Sequence, residues 1–113
     1  MIHVYLDDMR PCPRGFTSAN NAEQCILLLQ EFEIQVLSLD HDLGWNQKNG
    51  DEVVNWMIRH KKFAKEIYLH SSSLPARKRM YEMLIIAKPE DVQLYQTPVP
   101  ESRIKQIAQE TYT

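Results

Sequence analysis

Asp7-Asp8, Asp40-His41-Asp42 and His70-Ser71-Ser72-Ser73 each follow directly on a short apolar run, and they carry most of the chemistry this chain offers. Carboxylates that meet unpaired in a partly buried cleft repel one another, and a divalent cation relieves the repulsion. Hard oxygen ligands without cysteine favour Mg2+, with Mn2+ second, so Asp7, Asp8, Asp40 and Asp42 form the candidate metal set. Any one of these aspartates is equally well explained as a turn cap; gathered at converging strand ends, they favour the metal. Free imidazole changes charge near neutrality, so His41 and His70 are candidates to pass a proton to a leaving oxygen. His70 stands at the very end of its run. His41 alternates with Asp40 and Asp42, and points away from them if that stretch is extended. Arg10 and Arg77, each close behind an apolar run, are the candidates to neutralise phosphate oxygens, with Ser71 as a further donor. Arg77, Lys78 and Arg79 fall in the first turn of a predicted helix, where cations oppose the dipole unless an anion is received there. Lys78 reads as solvated face, and His3 and His60 read as structural.

The elements that must position these residues follow from periodicity. Residues 2–6, 34–39, 66–69 and 92–95 read as short buried strands. Asn20 with Glu23 resembles a capping pair for a helix that turns Ala22, Cys25, Ile26, Leu29 and Phe32 inward. A second helix runs from about Asp51 to Lys61, a third opens at Pro75 and buries Met80, Met83, Leu84 and Ala87, and a last one buries Ile104, Ile107 and Ala108. Prolines 11 and 13 with Gly15 make residues 9–16 a loop of defined shape. This β-α alternation predicts an α/β fold, a three-layer sandwich around a short, mostly parallel four-stranded sheet. Right-handed crossovers place every strand-to-helix loop on one side of such a sheet, so the three polar clusters converge whatever the strand order.

Residues 1–113 fit one domain. A net charge of −2 excludes a chain that traps polyanions over its whole surface, so no extended nucleic-acid face is expected. No apolar run approaches a membrane span. Two cysteines and a strand-like start at position 2 point to a reduced, cytoplasmic setting.

Val4 through Phe16, which contains Leu6-Asp7-Asp8-Met9-Arg10-Pro11-Cys12-Pro13-Arg14-Gly15-Phe16, resembles the LDD-x-R-x-x-P-x-G-[WF] opening of the cyclic-phosphate-processing receiver-like domains. Ser38-Leu39-Asp40-His41-Asp42-Leu43-Gly44 is similar to their SLDHDLG block, Gly50 with Val53-Val54-Asn55-Trp56 to a helix start, and His70-Ser71 to an HS-x-N segment. The resemblance covers roughly residues 2–86. It implies a receiver-like, flavodoxin-related fold, with Asp7, Asp8 and Asp40 at the positions that hold Mg2+ in receivers. It further implies an activity on cyclic phosphates such as RNA ends. One helix separates Asp7 from Asp40 where ordinary receivers fit a further strand-helix unit, so the sheet is expected to be one strand short. No lysine follows the last strand to hold an acyl phosphate, which argues against phosphorelay signalling. Ser73 and Leu74 stand where the family usually has Asn and Pro.

The reading is therefore a Mg2+-dependent phosphoesterase acting on a cyclic or terminal phosphate of a nucleotide or RNA end, with Asp40, His41 and His70 catalytic. The alternative is a non-catalytic receiver-like module that binds a phosphorylated ligand or protein partner.

Overall fold

The computed structural model describes residues 1–111; the last two of the 113 residues read as one domain lie outside them. In chain order the elements are β1 (Ile2–Leu6), β2 (Thr17–Ala19), α1 (Ala22–Glu31), β3 (Ile34–Leu39), α2 (Gly50–His60), β4 (Glu66–Leu69), α3 (Leu74–Ala87), β5 (Gln93–Tyr95) and α4 (Glu101–Thr111). All strands run parallel in the order β2-β1-β3-β4-β5. The sheet thus has five strands rather than the four expected. What the interval between Asp7 and Asp40 lacks is a helix, not a strand: a loop over residues 7–16 joins β1 to β2 directly. Strand β2 escapes periodicity because it is three residues long and its first two side chains face solvent at the sheet edge.

Faces follow from alternation. Val4, Leu6, Leu37, Leu39, Ile67 and Leu69 point to one face, where Cys25, Leu29, Val54, Met57, Met80 and Leu84 from α1, α2 and α3 complete the larger core. Val36 and Tyr68 point to the other, and meet Val99, Ile104 and Ile107 around α4 together with Phe16 from the loop. The chain steps outward from β1 to β2, then back across the sheet through β3, β4 and β5. Right-handed connections therefore put α1–α3 on one side and the 7–16 loop on the other. That loop stands where a covering helix would otherwise lie. This is the receiver- or flavodoxin-like order, and its strand order reverses between β1 and β3, where open α/β sheets take ligands.

Details at helix ends depart from the pattern. Asn21, not Asn20, caps α1, accepting from the Gln24 amide at 2.8 Å, while Gln24 Oε1 accepts from the Asn20 amide. Phe32 closes α1 as its C-cap and is half exposed, because the chain has already turned extended there. Ala87 faces solvent in the last turn of α3.

Candidate functional site

Leu6, Leu39 and Leu69 lie abreast at the ends of β1, β3 and β4. The ladder runs one residue further: the amides of Asp40 and His70 donate to Leu6 and Leu39 carbonyls, at 3.1 and 2.9 Å. Asp7, Asp40 and His70 are thus the next row across three adjacent strands, all on the face that α4 and the loop cover. Strand spacing of about 4.8 Å brings one ligand atom from each within 4.8 Å of the others.

Asp7 is saturated. Its Oδ1 accepts from the amides of Met9 and Arg10 at 2.8 and 2.9 Å, and its Oδ2 from Arg10 Nη1 at 3.0 Å and His70 Nε2 at 2.9 Å. Burial pushes its carboxyl up, but the two amides, the guanidinium and the imidazole outweigh that and hold it below the usual range. An ionised Asp7 only accepts, so Nε2 of His70 carries the proton and Nδ1 accepts from the Ser38 hydroxyl. With both nitrogens engaged, the ring stacked on Tyr5 and burial lowering its basicity, His70 is a neutral strut. This corrects its expected role: it has no free nitrogen for a leaving oxygen. Ser38 was missed, although a serine two residues before Asp40 in an apolar strand signals a polar partner on the same face.

Asp40 differs. Its Oδ1 accepts from the His41 amide at 2.8 Å, while Arg10 Nη1 stands 4.0 Å from its Oδ2, beyond hydrogen-bond reach. Burial first, and then the charge of Asp7, push it up to about 6, against the opposing effect of the His41 amide and Arg10. Together with Asp7, Asp8, Arg10 and Asp42 it lines a cleft of about 390 Å3, with Met9, Gly44 and Ser72 on the rim. Asp8 and Asp42 are both exposed. Asp42 Oδ1 accepts from the Gly44 amide at 3.1 Å. Asp40 is thus a half-satisfied carboxylate beside three others, Asp7, Asp8 and Asp42, and no thiol lines the cleft. That donor set fits a hard divalent cation.

Three residues expected here lie elsewhere. His41 turns to the helical side, where its Nε2 is 3.1 Å from Asp51 Oδ2, which also accepts from Arg79 Nη2 at 2.7 Å. Alternation along 40–42 explains it. Arg77 extends toward the sheet edge and donates to the Gln96 carbonyl at 3.4 Å; one position on α3 turns it away, and it does not line the cleft. Ser71 is buried and accepts from the Ser73 amide at 3.1 Å, folding the turn into α3, so Ser72 is the residue at the rim.

Compared with known families, residues 2–85 match the model of the cyclic-phosphate processing receiver domain. No curated protein matches the chain. Among the described residues, no helix is long and apolar enough to cross a membrane.

Proposed function

This chain belongs to the family of cyclic-phosphate processing receiver domains, and from that premise we propose that it is a metal-dependent phosphoesterase acting on a cyclic or terminal phosphate of a nucleotide or RNA end. The observation that carries the proposal is Asp40 itself: one oxygen pinned by a backbone amide, the other open to an acidic cleft at the strand-order reversal. Asp40, with Asp8 and Asp42 lining the same cleft, would hold the ion, Mg2+ in preference to Mn2+, while four protein donors fix Asp7 beside Asp40. A bound ion supplies charge neutralisation at the phosphate and a more acidic water.

The chain's own groups account for the rest. Arg10 has five N–H donors; with Nη1 committed to Asp7 and the side chain 46% exposed, the others serve phosphate oxygens. Asp40, with one oxygen fixed by the His41 amide and the other facing the cleft, orients the attacking water. The new P–O bond forms as the bond to the leaving sugar oxygen breaks, and the proton lost by the attacking water reaches that oxygen through solvent in the cleft, leaving a phosphomonoester. Hydrolysis of 2′,3′-cyclic nucleotides with and without Mg2+ or Mn2+ tests this. Metal-dependent turnover should fall by about a hundredfold or more in Asp40→Asn. The second reading is a non-catalytic receiver-like module for a phosphorylated ligand, and the saturation of Asp7 by protein donors favours it. Nucleotide binding without turnover in the wild type would decide for the module.

A further inference from the structure

Trp45 is 93% exposed and is the next residue in the chain after the cleft-lining Gly44. It stands in a turn closed by the Gln47 amide donating to the Gly44 carbonyl at 3.3 Å. A Cβ on Gly44 would stand 3.3 Å from Asp8 Oδ2, and its φ of +108° lies in the region that glycine adopts freely. The turn is therefore seated against the acidic wall. Met9, next to Asp8 in the chain, lines the cleft and is 83% exposed. Apolar residues exposed singly are ordinary, but these two stand on the two strand-end loops that form one cleft.

We propose that Trp45 is a base platform: its indole stacks on the nucleobase of the nucleotide whose phosphate enters the cleft, and Met9 meets the same base from the opposite loop. The proposal rests on the phosphoesterase reading for the position of the phosphate. Arg10 and an ion on the carboxylates would hold the phosphate, and neither reaches a base, so recognition of the base falls to uncharged side chains beside the cleft. Stacking supplies it without sequence preference, because every base has a π-face. A protein partner would need roughly 800 Å2 on each side, far more than two side chains present.

The test compares three esters: adenosine 2′,3′-cyclic phosphate, ribose 2′,3′-cyclic phosphate without a base, and a trinucleotide ending in the same cyclic phosphate. Wild type, Trp45→Ala and Trp45→Phe are assayed on each. For the adenosine ester, KM should rise about ten- to a hundredfold in Trp45→Ala and little in Trp45→Phe. Values for the base-free ester should not move. Wild type that handles both esters equally, or a ratio unchanged in Trp45→Ala, overturns the platform while leaving the phosphoesterase intact. A lower KM for the trinucleotide than for the adenosine ester assigns the platform to an RNA end, and equal values assign it to a free nucleotide; either supports stacking. Absence of turnover on every ester would sink the phosphoesterase reading alone. Fluorescence titration in a Trp56→Phe background then decides: quenching by the adenosine ester and not by the base-free one supports the platform, and no quenching overturns it.

Discussion

Asp7 and Asp40 occupy neighbouring positions in one row, yet their surroundings drive them in opposite directions. Four donors hold Asp7 ionised, so its carboxylate stabilises the fold above the usual carboxylate range, and that stabilisation is lost as pH falls through and below that range. Asp7→Asn removes the charge and sets an amide against Arg10 or His70. It should lower stability by about 2–4 kcal/mol at pH 7 in chemical denaturation. Asp40 has the reverse sign. Its folded-state value, about 6 against a usual 3.8, means the folded protein binds the proton more tightly, so stability falls as pH rises through that window. Asp40→Asn should therefore raise stability by about 2–3 kcal/mol at pH 7 in metal-free buffer. Melting scans at several pH values check this: a gain of a few degrees at pH 7 should vanish near pH 4. Mg2+ should raise the wild-type melting temperature and leave that of Asp40→Asn unchanged. A loss of stability in Asp40→Asn at neutral pH would show Asp40 to be a satisfied structural acceptor.

The start of α2 is what keeps the strand-end loop over 40–49 in place. The Gly50 amide donates to the His41 carbonyl at 2.8 Å, and a Cβ on Gly50 would stand 2.3 Å from the Asp40 carbonyl oxygen. Backbone cannot yield as a side chain can, so Gly50→Ala must push α2 off the end of β3. It should cost about 1–3 kcal/mol and reduce phosphoester turnover, although alanine favours helix elsewhere. Stability equal to wild type with full turnover would show that the loop accommodates the shift. The same element explains what the sequence could and could not convey. The run from Val36 to Asp40 and its neighbours at Leu6 and Leu69 announced their convergence, because parallel strands and right-handed crossovers leave no other arrangement. Strand β2 left no signal: Thr17-Ser18-Ala19 is too short to show a period. The directions of Arg77 and Arg79, two positions apart on α3, depend on which neighbours each side chain reaches, and no spacing encodes that. Trp45 carries no periodic signal, and only the turn at Gly44 sets it next to a residue that lines the cleft.

The molecule as a whole is unevenly covered. Three helices shield one face of the sheet, while α4 and a proline-braced loop shield the other, where Phe16 packs beside His3 and Tyr5 at ring-centroid distances of 5.7 and 5.9 Å. The cleft lies at the carboxyl ends of β1, β3 and β4, and it is acidic on a chain whose net charge is −2. The cleft offers RNA no basic side chain besides Arg10, so an RNA end would be held there by its terminal phosphate, on Arg10 and the ion, and by stacking of its base. Single-strand binding loses affinity with salt at a logarithmic slope of roughly −0.7 for each phosphate neutralised. One or two phosphate contacts then predict a rise in KM of less than about tenfold for an oligonucleotide between 50 and 200 mM salt. Steady-state kinetics over that range provides the check. A steeper rise would mean that the chain grips several phosphates, and would move recognition from the cleft to a basic surface beyond it, with Lys78 on the solvated face of α3 as the first residue to replace.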